Sequence, residues 1–237
     1  MNPARWGAVA VLVVIGVAGG AVYALGGSSD GDDRLDLVVL GDSFVEHSRD
    51  QIAAYATNQG LTNLVQGLGG TAICNWDKQI AEQEADPPKV LVLSFAGNDI
   101  PKTCINPTGE SRPAAEVARL YGTALEKIVD RFADEDVELW VVLPPPIRDA
   151  EFEERAAAMR TMYRQAAEDH PGLHLIDSAT NLDPEATGEF QKTLPCRDDD
   201  PDCPSTGQVV VRRDDGIHLT PAGATRYAHA IVDAVER

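Results

Sequence analysis

Short runs of aliphatic and β-branched residues alternate with longer amphipathic stretches from residue 36 to the end of the chain. Several of these runs are apolar throughout, which is typical of parallel strands that are covered on both faces. The alternation predicts an α/β fold, a three-layer α/β/α sandwich around a parallel sheet. The predicted strands are 35–40, 62–66, 89–95, 137–143 and 173–177.

The stretches between these strands carry apolar residues at helical spacing. Residues 113–134 and 151–169 each have one apolar face, and Thr220 predicts the N-cap of a last helix. Two segments lack such a pattern: residues 96–112, which are rich in Gly, Asn and Pro, and residues 178–217. A loop as long as the second is uncommon in a compact domain unless it is functional or held internally.

The N-terminal residues differ in composition from the remainder. Residues 1–26 contain Arg5 and then roughly 20 residues without a charge, enough for a helix to cross a bilayer. The acidic linker 27–34 follows, which predicts a cytoplasmic N-terminus and an extracytoplasmic remainder. We expect a single-pass membrane anchor, or a secreted protein cleaved near "VYA" at 22–24. Residues 35–237 are long enough for one sizeable core, so one domain is expected.

The four cysteines are an even set in a chain that we assign to an oxidising compartment. The stretch "CRDDDPDC" places Cys196 and Cys203 across a short loop that could close on itself, which would leave Cys74 to pair with Cys104. Four cysteines permit two other pairings. A zinc site is a further alternative, but no CxxC or HxxxH spacing supports it. We expect disulfides and no metal.

The formal net charge of −18 argues against two classes of partner. Nucleic acids and anionic lipid surfaces are bound by clustered Lys and Arg, which suit a basic chain. We therefore expect no nucleic-acid partner, and contact with the membrane only through the N-terminal helix. Solubility is a sufficient explanation for the acidic charge, so it predicts no substrate.

Four polar or Gly-rich stretches follow predicted strands or precede the last helix. Ligands of a parallel α/β sheet bind at the carboxyl ends of the strands, so we expect these stretches to share one site. Acyl transfer needs a nucleophile, a base, a group that orients the base, and donors to an oxyanion. The stretches are "GDS" at 41–43, "GLGGT" at 67–71, "AGND" at 96–99 and "DDGIH" at 214–218.

Each of these requirements has a candidate. Ser43 follows a strand and opens a predicted helix, so it can provide a nucleophilic hydroxyl together with its own backbone N–H. Gly70, through its N–H, and Asn98, through its side-chain amide, are further oxyanion donors. His218 is the candidate base, and Asp215, three residues earlier, can hold the tautomer of its ring.

Each candidate also has a structural interpretation when taken singly. Ser43 is a common helix cap, Gly70 and Asn98 are common turn residues, and "DDGIH" is an acidic turn before a partly buried histidine. Their order in the chain and their shared position at strand ends favour the catalytic interpretation. His47, one helical turn after Ser43, is interpreted as a surface histidine because no Asp lies at orienting distance in the sequence.

In this order, the four stretches resemble the four sequence blocks of the SGNH (GDSL-type) hydrolases, and the resemblance spans residues 41–218. It implies a flavodoxin-like sheet with strand order 2-1-3-4-5. It also implies a catalytic triad of Ser43, His218 and Asp215, and an oxyanion hole formed by Ser43, Gly70 and Asn98. The chemistry of this family needs no cofactor.

The chain departs from the family pattern at several points. Ala96 stands where the third block usually has Gly, and Phe44 stands where Leu often follows the serine. Gly69 is an alternative donor in the second block. Asp214 is an alternative to Asp215 as the acidic partner of His218, although only Asp215 has the DxxH spacing. We expect the change at Phe44 to affect packing rather than chemistry.

The resemblance implies a serine esterase or acyl hydrolase that acts on an O-acyl ester, a cell-envelope carbohydrate or lipid, with short acyl groups preferred. One alternative is an O-acyltransferase to an envelope glycan, assisted by a membrane acyltransferase partner. A second is a non-catalytic envelope-binding module, against which the intact triad residues argue. In the implied fold, Cys74 and Cys104 follow the Gly70 and Asn98 loops on one rim, so a disulfide between them would tether both loops.

Overall fold

A six-stranded sheet forms the centre of the computed structural model, which describes residues 22–24, 34–185 and 187–236. Its strands are β1 (Val22–Ala24), β2 (Leu37–Gly41), β3 (Asn63–Gly67), β4 (Val90–Ser94), β5 (Glu138–Leu143) and β6 (Leu173–Asp177). They lie in the order β1-β3-β2-β4-β5-β6. The five strands β2 to β6 are parallel, so they reproduce the expected order 2-1-3-4-5. The predicted α/β fold is confirmed.

The helices cover the sheet from both sides. Those longer than one turn are α1 (Ser43–Asn58), α2 (Asp77–Ala85), α3 (Ala114–Phe132), α4 (Ala150–Asp169) and α6 (Pro221–Val235), and α5 (Ala179–Leu182) is a single turn. The predicted helices 113–134 and 151–169 correspond to α3 and α4. Thr220 caps α6, because its hydroxyl accepts the Gly223 N–H at 3.2 Å.

The residues of β2 show why its sequence is apolar at every position. Leu37 and Val39 belong to the core shared with α1 and α6, while Val38 and Leu40 belong to the core shared with α3. All four side chains are fully buried. The carboxyl ends of β2, β3 and β4 therefore meet at one edge of a sheet whose two faces are both covered.

The N-terminal segment is only partly described. Val22–Ala24, which lies within the predicted membrane segment 1–26, forms the edge strand β1 and pairs antiparallel with β3. The rest of that segment and the linker up to residue 33 lie outside the described residues. None of the helices described is long and apolar enough to cross a membrane. The anchor or signal segment thus stays a prediction.

Residues 178–217 contain regular structure that the sequence pattern did not indicate. Two short strands form an antiparallel pair, β7 (Thr193–Pro195) and β8 (Gln208–Val210). The predicted Cys196–Cys203 disulfide lies in the loop between them. In the same loop Asp200 forms a buried ion pair with Arg226 of α6 at 2.5 Å. The strands were missed because three residues are too few to show an alternating pattern.

Candidate active site

Ser43 is the first residue of α1, directly after the turn that ends β2. The residue before it caps the helix: the Asp42 carboxylate accepts the Phe44 N–H at 3.1 Å. The interpretation of Ser43 as the cap is therefore wrong. Gly41 permits the close approach of β2 to the end of β4, because a Cβ there would lie 2.4 Å from the Ser94 carbonyl oxygen. The Ser43 hydroxyl is thus presented at the sheet edge with no capping role.

Asp42 connects this turn to the loop after β4. Its buried carboxylate also accepts hydrogen bonds from the Ala96 N–H at 2.8 Å and from the Asn98 side-chain amide at 3.1 Å. Burial raises the pKa of Asp42 to about 6, although the hydrogen bonds from Ala96 and Phe44 act in the opposite direction. The sequence analysis did not assign Asp42 a role. Its position directly before Ser43, at the start of a predicted helix, could have indicated that it caps the helix.

Asn98 is held between two loops. Its side-chain amide donates to Asp42 and to the Thr71 carbonyl oxygen, both at 3.1 Å. The backbone carbonyl oxygen of Asn98 accepts a hydrogen bond from the Tyr121 hydroxyl at 3.1 Å. Ala96, in the position where the family usually has Gly, still supplies its N–H to Asp42. Both amide hydrogens of Asn98 thus have acceptors. As an oxyanion donor, the amide would exchange the Thr71 carbonyl for the substrate oxygen.

The loop after β3 contains the two competing glycines. Gly69 donates its N–H to the Glu46 carboxylate at 3.1 Å, so this donor is already occupied. Gly70 has a φ of 72°, and a Cβ there would lie 2.5 Å from Ile100 Cδ1. Glycine adopts this backbone conformation without strain and leaves room for the Ile100 side chain. Gly70 is therefore the better candidate for an oxyanion donor.

His218 and Asp215 lie together in the loop that precedes α6. One oxygen of Asp215 is 2.9 Å from His218 Nδ1, and the other accepts the N–H groups of Ile217 and His218 at 2.8 and 2.9 Å. Burial acts to raise the pKa of Asp215, but hydrogen bonds from Ile217 and His218 outweigh it and lower the pKa to about 2. Asp214 instead binds Lys192 at 2.7 Å. Asp215 is thus the partner of the histidine, as its spacing predicted.

One cavity of about 350 Å³ brings these candidates together. Ser43, Gly70, Asn98 and His218 line it. Its apolar lining includes Phe44, Ile100, Ile147, Phe152 and Ile217. Chain segments that are far apart in the sequence therefore converge where ligands of parallel α/β sheets bind. The roles of the individual residues in a triad and an oxyanion hole stay predictions.

His47 also lines this cavity, whereas the sequence analysis placed it on the surface. It is partly buried, and its ring centroid lies 4.6 Å from that of His218 with the planes at 89°. The surface interpretation was wrong because it considered only neighbours in sequence. His218 lies more than 150 residues after His47 in the sequence, and the fold brings its loop next to α1.

The predicted Cys74–Cys104 disulfide joins the segments that follow β3 and β4, with a Cα–Cα distance of 6.0 Å. Cys74 lies in a single 3-10 turn, Ile73–Trp76, after the glycine loop. Since Cys196 and Cys203 are also paired, all four cysteines form disulfides, and the zinc alternative is wrong. Within residues 22–24, 34–185 and 187–236 no group of three or more His, Cys, Asp or Glu side chains is arranged to hold a metal.

Replacing Asp42 with Asn is expected to change how stability depends on pH. A carboxyl group whose pKa rises from 3.8 to about 6 on folding stabilises the fold at low pH, and this contribution is lost as the pH rises through about 6. This pKa shift corresponds to a change of about 3 kcal/mol in the free energy of unfolding between the protonated and the ionised form of Asp42. Because Asp42→Asn lacks this titration, its free energy of unfolding should increase relative to wild type between pH 3 and pH 7, measured by urea unfolding.

Asp36→Asn is the matched control for this experiment. Burial acts to raise the pKa of Asp36, but hydrogen bonds from Lys89 and Thr62 outweigh it and lower the pKa. The relative stability of this variant should therefore fall over the same pH range, the opposite direction. A stability difference for Asp42→Asn that does not change with pH would contradict the expected cost of the buried charge.

The sheet order, the site at its carboxyl edge and the four sequence blocks together define an SGNH hydrolase fold. The chain belongs to a family described as "Protein of unknown function (DUF459)", whose model matches residues 36–234. No curated protein matches the chain in sequence.

Solved structures of low sequence identity share this fold. Acetylxylan esterase Axe2 from Geobacillus stearothermophilus has a TM-score of 0.58 at 14% identity, covering 86% of this chain and 94% of that one. The C-terminal catalytic domain of peptidoglycan O-acetyltransferase A from Streptococcus pneumoniae has a TM-score of 0.55 at 14% identity, covering 86% and 93%. A G-D-S-L family lipolytic protein from Veillonella parvula has 0.57 at 15% identity, covering 85% and 98%. Such likeness shows the fold.

Proposed function

We propose that this protein is a serine esterase or acyl hydrolase of the SGNH type, which cleaves an O-acyl ester through an acyl-enzyme. The observation that carries the proposal is the shared cavity: Ser43 lines it together with His218, whose ring is bound by the ionised Asp215. The same fold occurs in an acetylxylan esterase, which favours this class of reaction.

The proposed reaction assigns roles to five residues of the site. His218, held at Nδ1 by Asp215, accepts the Ser43 proton at Nε2 while the hydroxyl oxygen attacks the ester carbonyl. The oxyanion accepts hydrogen bonds from the N–H groups of Ser43 and Gly70 and from the Asn98 amide. Protonated His218 then gives its proton to the leaving alcohol. A water molecule, deprotonated by His218, attacks the acyl-enzyme and releases the acid.

The cavity and the disulfides support a substrate class. A volume of about 350 Å³ is at the small end for ligand pockets, and the apolar lining suits a short acyl group. The two disulfides suit an oxidising compartment, outside the cytoplasm. We therefore propose an O-acylated carbohydrate or a lipid ester of the cell envelope as substrate, met by a membrane-anchored or secreted protein.

Activity and active-site labelling test the proposal on the full chain. We expect turnover of p-nitrophenyl esters, with acetate and butyrate preferred to octanoate. A fluorophosphonate probe should form one covalent adduct, and tandem mass spectrometry should locate it on Ser43. If neither turnover nor labelling occurs, the protein is not a serine hydrolase. An adduct on another serine would contradict the assigned nucleophile.

Acyl transfer to a glycan hydroxyl is a second candidate, favoured by the fold shared with the catalytic domain of a peptidoglycan O-acetyltransferase. The acyl-enzyme is the same, and only the acceptor differs. A membrane acyltransferase partner would then supply the acyl group. Adding a glycan oligosaccharide to the ester assay distinguishes the two functions: an acylated oligosaccharide detected by mass spectrometry supports transfer, and free acid alone supports hydrolysis.

Removing the Cys74–Cys104 disulfide is expected to lower both stability and turnover. Serine at both positions opens a loop with a sequence separation of 30, which costs about 3 to 4 kcal/mol of unfolding free energy in the chain-entropy account. It also frees the two loops that carry oxyanion donors, so kcat should fall roughly tenfold. Urea unfolding and ester assays of the folded variant measure the two effects.

The second disulfide provides the matched control. Serine at Cys196 and Cys203 opens a loop with a separation of 7 and should cost about 2 to 3 kcal/mol. Neither cysteine lines the cavity, so kcat should not change. An equal loss of kcat in the two double variants would contradict a specific tether between the oxyanion loops.

A further inference from the structure

His47 and His218 are both in the wall of the cavity, and their rings are in contact. His47 lies four residues after Ser43 on α1, so both side chains project from one face of that helix. The two rings meet edge to face, with centroids 4.6 Å apart and planes at 89°. The helix that presents the candidate nucleophile therefore also presents a ring that packs against the candidate base.

A hydrogen bond at Nδ1 does not account for a histidine at position 47. Nδ1 of His47 is buried, and no hydrogen-bond partner for it occurs in the described part of the chain. A buried polar atom without a partner destabilises the fold relative to an apolar group of the same shape. The contact with the His218 ring is an observed interaction of this side chain that a function could explain.

The surroundings of His47 favour its neutral form, chiefly through burial. Arg213, Asp215 and His218 face it from the loop before α6, and Glu46 precedes it on α1. Burial, Arg213 and His218 lower the pKa of His47, and the two carboxylates offset them only in part. A neutral ring does not repel His218 when that residue becomes positively charged during the reaction.

We propose that His47 is a positioning residue whose ring holds the His218 imidazole in the orientation that reaches Ser43. This inference rests on the proposed hydrolase function. The Asp215 hydrogen bond holds the His218 ring at Nδ1, and one such contact does not by itself fix the direction of Nε2. Contact with the His47 ring restricts the movement of the His218 ring, so Nε2 keeps its direction. Small misplacements of a catalytic group reduce the rate strongly.

Three substitutions in the full chain test this role with p-nitrophenyl acetate. His47→Ala removes the ring, and kcat should fall roughly 10- to 100-fold while KM changes less than about twofold. His47→Phe restores the ring without the unpartnered nitrogen, so it should recover most of the lost kcat with no loss of melting temperature. His47→Lys places a positive charge beside His218, which should move the acid limb of kcat/KM to lower pH.

His229→Ala is the matched control, because His229 also stacks on an aromatic ring, that of Tyr55, with centroids 3.9 Å apart. His229 does not line the cavity, so its loss should leave kcat and the pH profile unchanged. Wild-type kcat in His47→Ala, or equal losses in the Ala and Phe variants, would overturn the positioning role.

Three outcomes separate the positioning role from the proposed function on which it rests. A loss in His47→Ala as complete as that in His218→Ala would identify His47 as the base and overturn the role proposed for it. If wild type itself neither turns over esters nor reacts with the fluorophosphonate probe, the proposed function fails and this inference fails with it. If wild type turns over esters and His47→Ala has the same kcat, the positioning role of His47 is wrong and the proposed hydrolase function stands.

Discussion

Replacing Ser43 with alanine is expected to lower kcat for ester hydrolysis by about four to six orders of magnitude. Without the hydroxyl no acyl-enzyme forms, and the remaining donors can assist only a direct attack by water. Covalent labelling by a fluorophosphonate probe should disappear. Initial rates with p-nitrophenyl acetate and gel fluorescence of the labelled full chain measure the two effects.

This variant should keep its fold, because Asp42 rather than Ser43 caps α1. The free energy of unfolding should change by less than about 0.5 kcal/mol. Ser48→Ala is the matched control: its hydroxyl lies on the same helix and is buried without a partner in the described structure, so its removal should not lower turnover. Residual labelling of Ser43→Ala would show that another residue is the nucleophile.

Replacing His218 with alanine is expected to have an effect of similar size, a loss of about four to six orders of magnitude in kcat. Asp215→Asn should cost about four orders, because a neutral amide no longer holds the required tautomer through the 2.9 Å contact at Nδ1. Since the two residues act as a unit, the double variant should be no slower than His218→Ala alone, within about threefold. Steady-state rates of the three variants measure this coupling.

Asp214→Asn is the matched control for Asp215→Asn. Asp214 is the neighbouring acidic residue, and it binds Lys192 rather than the histidine. Its replacement should change kcat less than about twofold. Additive losses in the double variant would contradict the coupling of Asp215 with His218. Because the pKa of Asp215 is about 2, its protonation should not limit activity above about pH 4.

The strands and long helices could be predicted because their causes are local. The run Leu37–Gly41 is apolar at each of its first four positions since the sheet buries alternate side chains on opposite faces. The start of α6 was predicted from Thr220, whose cap acts within the first turn. The strands β7 and β8 could not be predicted, because pairing across a loop stabilises them and their own three-residue pattern does not.

In the candidate site, too, the contacts between near neighbours could be predicted from the sequence and those between distant residues could not. Asp215 and His218 are three residues apart within one loop, so their spacing alone predicted the contact. The convergence of Ser43, Gly70 and Asn98 followed from the rule that parallel strands end at one edge of a sheet. No local pattern could show that Gly69 donates to Glu46, which lies 23 residues earlier in the chain.

The amino-acid sequence by itself determined the parallel sheet and the acidic partner of His218, because the first depends on strand topology and the second on near neighbours. It favoured the cysteine pairing that the structure shows but left two others open. Only the tertiary structure decided that Asp42 binds Asn98 and that His47 packs against His218. These contacts join residues that are 56 or more than 150 positions apart. Such pairs come together only when the helices and loops pack around the finished sheet.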